Sequence, residues 1–261
     1  MILLLDVGNS RLKFAFWQRS GLAQAVMSEQ QAVVHHGRIS DALEKILQHK
    51  GLQRAEVSRV LVSSVAGELA EKAITTFCRQ HLTVNPEFAR TRKTFKGFTV
   101  AYEQPSRLGV DRWLAMLAAR KLEGLESREN SPVCVIDSGS ALTIDVVSAK
   151  GGHRGGFIIP GLRLMYDSLL NNTQEVYADT PSFDDIDWGK STNQAVANGA
   201  LFAIVSVVKE ACRRFSEQEA RVLMVLSGGD ADILFPLLSD TCGCKKIPDL
   251  VLRGLIELFE V

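Results

Sequence analysis

The chain has 261 residues, 46% hydrophobic and 23% charged, enough for one large domain or two modest ones with real cores, and not the composition of a disordered chain. Thirty basic residues balance thirty acidic ones. Zero formal charge argues against broad electrostatic capture of nucleic acid, leaves only a local basic patch open, and is compatible with a small-molecule enzyme.

The apolar opening, Leu3-Leu4-Leu5, ends at Asp6 with no basic region before it and no small-residue cleavage site after it, so it does not read as a secretory signal. No run of about 18 apolar residues suggests a membrane span. A cytoplasmic protein with no membrane partner is expected.

After Asp6 comes the turn Gly8-Asn9-Ser10. Leu12, Phe14 and Phe16 then alternate with Lys13 and Ala15, which predicts strand, turn, strand. Two readings stand side by side. One is a hairpin whose Asn and Gly serve the turn. The other is a polyanion site: glycine admits a phosphate close to the backbone, while main-chain N–H groups, Asn9 and Ser10 donate to it. Asp6 would then hold Mg²⁺ or its waters, and Lys13 would add a positive charge.

His35-His36 reads as a solvated loop. A helix is expected over 38–50, a strand over 59–65 ("RVLVSSV") and a helix over 67–81. The segment "YEQPSRLGVDRW", residues 102–113, runs into a helix over 108–122 with Leu114, Leu117, Ala118 and Leu122 on one face. Asp111 and Arg112 fall in its first turn. An acid there suits the helix dipole, but an arginine does not, which points to a ligand. Side by side they suit a small carboxylated alcohol, Arg112 binding its carboxylate and Asp111 taking its hydroxyl proton.

Polar "EGLESRENSP", residues 123–132, is the expected hinge or surface turn. Then "VCVIDSGSALTIDVV", residues 133–147, repeats the opening grammar, with "DSGSA" where "DVGNS" stood. The repeat suggests two related halves with a nucleotide cleft between them. A glycine-rich turn and a short strand ending at Pro160 follow, then helices near 161–170 and 192–214 and the strand "RVLMVLS". "SGGDAD", residues 227–232, reads either as a cradle for adenosine or phosphate or as a strand-to-helix turn with Asp230 near the helix start. Residues 250–260 predict a last amphipathic helix. Cys78, Cys134, Cys212, Cys242 and Cys244 read as reduced, mostly buried thiols, and Cys242-Gly243-Cys244 lacks a second half for zinc. Neither a Walker sequence nor a dinucleotide G-x-G-x-x-G is present. Because each half opens on a hairpin, the expected class is α/β with mixed sheets.

The pieces "DVGNSRLK", "YEQPSRLGVDRW", "DSGSALTIDVV", "GGFIIPGLRLM" and "KSTNQAVANGA", in this order and over both halves, resemble the type III pantothenate kinases, relatives of sugar kinases, actin and the heat-shock chaperone ATPases. The resemblance implies two ribonuclease-H-like domains, placed here at 1–115 and 116–261, with mixed sheets flanked by helices. It implies a homodimer and ATP-dependent phosphorylation of pantothenate to 4′-phosphopantothenate, the first step of coenzyme A biosynthesis. Carried over by position, Asp6, Val7, Gly8, Asn9, Ser10, Arg11, Leu12 and Lys13 would bind the ATP phosphates, and Ser140 would contact ATP. Asp111 would be the general base. Tyr102, Gly109, Val110, Asp111 and Arg112 would bind pantothenate, with Thr192 closing a pocket shared across the dimer. Asp137 would help bind a monovalent cation, potassium or ammonium.

Two departures stand out. Ser140 occupies the threonine position of the family's Asp-x-Gly-Thr-Ala, keeping the hydroxyl, and Thr173 leads into "QEVYAD" where the family tends to Thr-Ala-x-Leu-Pro. A phosphatase or a non-catalytic nucleotide-binding regulator of the same superfamily is the alternative, separated by substrate-dependent ADP release.

Overall fold

The computed structural model describes residues 1–19, 25–48, 56–122, 131–172 and 181–261. All of the expected hinge except Ser131 and Pro132 lies outside them, as does the departure that begins at Thr173. Among the described residues, thirteen strands and seven α-helices follow in chain order. The strands of the first sheet are β1 (Ile2–Val7), β2 (Arg11–Arg19), β3 (Ala25–Met27), β4 (Gln31–Val34), β5 (Arg59–Ser64) and β6 (Pro86–Phe88), with α1 (Ile39–Gln48) and α2 (Glu68–His81) among them. Next come the hairpin β7 (Thr94–Phe95) and β8 (Phe98–Thr99), then α3 (Val110–Ala119), β9 (Val133–Ser138), β10 (Ala141–Val147) and β11 (His153–Pro160). The chain ends with α4 (Leu162–Asn172), α5 (Thr192–Ser216), β12 (Leu223–Ser227), α6 (Ala231–Leu238), β13 (Lys245–Lys246) and α7 (Leu250–Phe259). Contacts divide it into two compact units: residues 1–92, 104–118 and 249–261, and residues 93–103 and 119–248.

In the first unit the sheet order is β3-β2-β1-β5-β6, with β4 also paired to β2. β1 runs antiparallel to β2 and parallel to β5. Leu3, Leu5 and Val7, with Leu12, Phe14, Val60 and Val62, pack against Leu43 and Ile46 of α1 and Ile74 and Phe77 of α2. The two-residue period of a strand puts Leu4, Asp6, Lys13, Leu61 and Ser63 on the opposite face. α7 also packs on β1 and β5, and Leu4 and Leu61 are fully buried. Coverage of both faces is why β1 is nearly continuous apolar sequence.

α3 departs from the expected amphipathic helix, since every residue from Trp113 to Ala118 is buried. A helix buried all round needs close neighbours. Gly254 of α7 supplies one: a Cβ there would sit 2.3 Å from the Leu114 carbonyl oxygen.

The second unit repeats the plan, in the order β11-β10-β9-β12-β13. β9 is antiparallel to β10 and parallel to β12. The repeat holds to the residue: Asp6 stands opposite Lys13 and Ser63, and Asp137 opposite Thr143 and Ser227. Ile136, Leu142, Ile144, Met224 and Leu226 form a core with Leu201, Ile204 and Val208 of α5. α5 is long and apolar enough, by length and composition, to cross a membrane. In this unit it packs on β9 and β10 beside α4 and α6. Ser191 caps it, accepting from Gln194 N–H at 3.3 Å, while Gln194 Oε1 accepts from Lys190 N–H at 2.9 Å.

The fold class is the expected α/β with mixed sheets flanked by helices. Strands β3, β4, β6, β7, β8 and β13 were not anticipated; each has two to four residues, too few for an alternation to register.

Candidate active site

The first group of functional side chains grows out of the β1–β2 hairpin. Asp6 is the penultimate residue of β1, with its side chain 10% exposed; Oδ1 accepts from Ser63 Oγ at 3.1 Å, and Lys13 Nζ lies 4.0 Å from Oδ2. Strand pairing alone brings these three together, because one register step either way would turn them to the α1–α2 face. The turn closes through Gly8 N–H donating to Arg11 O at 3.1 Å, leaving Asn9, Ser10 and Arg11 exposed. Val7 and Leu12 have fully buried side chains in the core, so only their main chain can face a ligand. One carboxylate with phosphate oxygens and waters is the donor set Mg²⁺ favours, so Asp6 fits that ion.

His35 corrects the sequence reading. It is not solvated but 4% exposed, with Nε2 3.0 Å from Gly8 O and Nδ1 accepting from Gly37 N–H at 3.0 Å. Its main-chain N–H donates to Ser10 O at 3.2 Å. Only His36 is exposed.

The second group opens α3. Asp111 Oδ1 accepts from Arg112 main-chain N–H at 2.8 Å, a carboxylate held at the positive end of its own helix. A Cβ on Gly109 would come within 2.6 Å of Asp111 Oδ1, so the glycine leaves that carboxylate room. Val110 is 8% and Arg112 7% exposed, and Thr91 Oγ1 donates to Leu108 O at 3.0 Å just before the helix.

In the second unit Asp137 is the penultimate residue of β9, half-buried, before a turn closed by Gly139 N–H donating to Ala141 O at 3.0 Å. Ser140 is exposed at that turn. A carboxylate with neighbouring carbonyl and hydroxyl oxygens is the hard-oxygen chemistry a monovalent cation takes, and Asp137 fits it in kind. "SGGDAD" has a role beyond either sequence reading. Asp230 stands at the N-cap of α6 without a side-chain cap bond; its Oδ2 instead accepts from Ser138 Oγ at 3.2 Å, and its N–H donates to Ser138 O at 3.0 Å. The later turn is tied to the "DSGSA" turn.

Tyr102 lies with its ring nearly parallel to that of His153, centroids 6.0 Å apart, and its carbonyl accepts from Lys93 Nζ at 3.0 Å. His153 is itself buried, its Nε2 3.1 Å from Asp145 Oδ1. The sequence reading singled out neither His153 nor Asp145. Thr192 is the exposed first residue of α5.

The five cysteines are all free thiols, three of them buried. Burial pushes the Cys78 thiol up to about 12 and the Cys244 thiol to about 11, so neither is a ready nucleophile at neutral pH.

Comparison with known proteins bears on what these groups serve. The family model for type III pantothenate kinase matches residues 2–214. The type III pantothenate kinase of Nitrosococcus oceani is 34% identical over 259 residues, covering 99% of this chain and 93% of that protein. Its counterpart in Acinetobacter baylyi is 33% identical over 253 residues, covering 97% and 95%. Among solved structures, an acetate kinase from Porphyromonas gingivalis aligns with TM-score 0.55 at 10% identity over 99% of this chain and 98% of that one, a likeness of fold. Matched along most of its length by the family and end to end by proteins sharing a third of its residues, the chain belongs to the type III pantothenate kinases.

Proposed function

We propose that this protein transfers the γ-phosphoryl group of ATP to the primary hydroxyl of pantothenate, giving 4′-phosphopantothenate and ADP, the first step of coenzyme A biosynthesis. The observation that carries the reading is the family match over residues 2–214, which includes every residue assigned below. Phosphoryl transfer of this kind depends on positioning and electrostatics more than on covalent chemistry.

The exposed turn after Asp6 offers main-chain and side-chain donors to the ATP phosphates, with Lys13 adding charge, and Ser140 contacts ATP. Arg112 and Tyr102 hold pantothenate with Gly109, Val110 and Thr192. Asp111 accepts the hydroxyl proton as the oxygen attacks the γ-phosphorus and the bond to ADP breaks. Mg²⁺ at Asp6 and potassium or ammonium at Asp137 would supply charge neutralisation when bound. A homodimer is supported by Phe157 and Ile158 on the edge strand β11 and by Phe202 on α5, all more than half exposed. A cytoplasmic location suits the free thiols.

With ATP labelled on the γ-phosphate, label is expected to move into an acidic product that forms only when pantothenate is present. Label released solely as inorganic phosphate would contradict the proposal.

A further inference from the structure

We infer that His35 is a positioning residue for ATP: it locks the Gly8–Asn9 peptide so that the Asn9 N–H is presented to the phosphates. The inference rests on the reading of residues 6–13 as the phosphate-binding turn.

The ring's protonation follows from its two partners. Gly37 N–H can only donate, so Nδ1, 3.0 Å away, is the lone-pair nitrogen. Gly8 O can only accept, so Nε2, also at 3.0 Å, carries the proton and donates. Both contacts therefore select the same neutral tautomer, assigned from the bonding pattern. His36 and Gly37, with φ of 43° and 82°, turn the chain back and bring the Gly37 N–H onto the ring. The main chain adds a second tie, His35 N–H to Ser10 O at 3.2 Å. The carbonyls of Gly8 and Ser10 are thus both committed to one buried residue.

The consequence lies in the peptide plane. A trans peptide is rigid, and its C=O and N–H point in opposite directions. Holding Gly8 O against His35 therefore aims the Asn9 N–H away from His35. Phosphate oxygens need such donors, and a carbonyl turned toward them would repel them. Glycine's wide ψ range would let this peptide rotate if nothing held its oxygen. His35 is what holds it.

The test measures the Kd for ATP by calorimetry, the KM for each substrate and the thermal midpoint, in His35→Ala, His35→Gln and Lys13→Met. His35→Ala is expected to weaken ATP binding about 10-fold, the loss of a part-buried neutral hydrogen bond, with the pantothenate KM within about two-fold. His35→Gln, whose amide supplies both a donor and an acceptor, is expected to recover most of that loss. Should the alanine protein not fold, His35→Asn, too short to reach both partners, makes the same comparison with His35→Gln. An ATP Kd unchanged in His35→Ala, an equal rise in both KM values, or no recovery with glutamine would overturn the inference. Lys13→Met reports on the underlying reading. A raised ATP Kd there beside an unchanged His35→Ala overturns the inference alone, whereas an unchanged Kd in Lys13→Met overturns the reading and the inference together.

Discussion

Asp111→Asn is expected to lower kcat by about two to four decades while the thermal midpoint moves by only a few degrees. Asparagine is nearly isosteric with aspartate, and its Oδ1 can still accept from Arg112 N–H, the bond that now holds the carboxylate at 2.8 Å. The first turn of α3 therefore keeps its geometry and loses only a negative charge. Were Asp111 merely a favourable acid at a helix start, the change would cost about 0.3–1 kcal/mol of stability and leave turnover nearly intact. The two roles thus separate on different axes. Measuring kcat with saturating ATP and pantothenate alongside a urea midpoint reads both, and near-normal turnover in Asp111→Asn would remove the residue from the catalytic role.

Gly228→Val is expected to cost about 2–5 kcal/mol of folding stability, a large share of the total for an ordinary domain. Two costs add. The backbone has φ of 99°, which a β-branched residue tolerates poorly, and a Cβ there would meet the Ser138 carbonyl oxygen at 2.1 Å and the Ser138 nitrogen at 2.5 Å. These atoms are backbone of the last residue of β9, held in the sheet, so neither partner can swing aside. Because Asp230, two residues on, bonds Ser138, the strain reaches the turn that carries Asp137 and Ser140. Denaturant unfolding gives the stability change, and a midpoint within error of the unsubstituted protein would contradict this account of the turn.

The two hairpins were legible because their signals are local. Apolar runs end in Asp-x-Gly, and alternation resumes at Leu12 and again at Leu142, where a strand's two-residue period is unmistakable. Partners distant in sequence were not. Ser63 reaches Asp6 only through the parallel β1–β5 pairing, 57 residues away, and no pattern around Ser63 announces that register. His35 was misread for the same reason: the strand that delivers it, β4, has four residues, and two adjacent histidines resemble a polar loop. His153 and Asp145 are both buried, yet each stands among glycines or alternating residues that advertise a sheet and not a polar pair. α3 misled differently. Leu114, Leu117 and Ala118 make a valid stripe, but Ala115 and Met116 between them are also apolar, and only the close approach of Gly254 decides that every side is covered. Asp6, the Gly8–Ser10 turn, Lys13, Asp111 and Arg112 were legible from their own chemistry, whereas Tyr102, Asp137, Ser140 and Thr192 were named only through the family's motifs, and the geometry, such as the Asp6–Ser63–Lys13 set, came from strand register.

The most direct test of the central claim is ADP release by the purified protein with ATP, Mg²⁺ and pantothenate, with potassium or sodium as the sole monovalent cation. The account predicts release that depends on pantothenate and requires potassium. ATP hydrolysis indifferent to pantothenate, or bound ATP with no turnover in either salt, would contradict it.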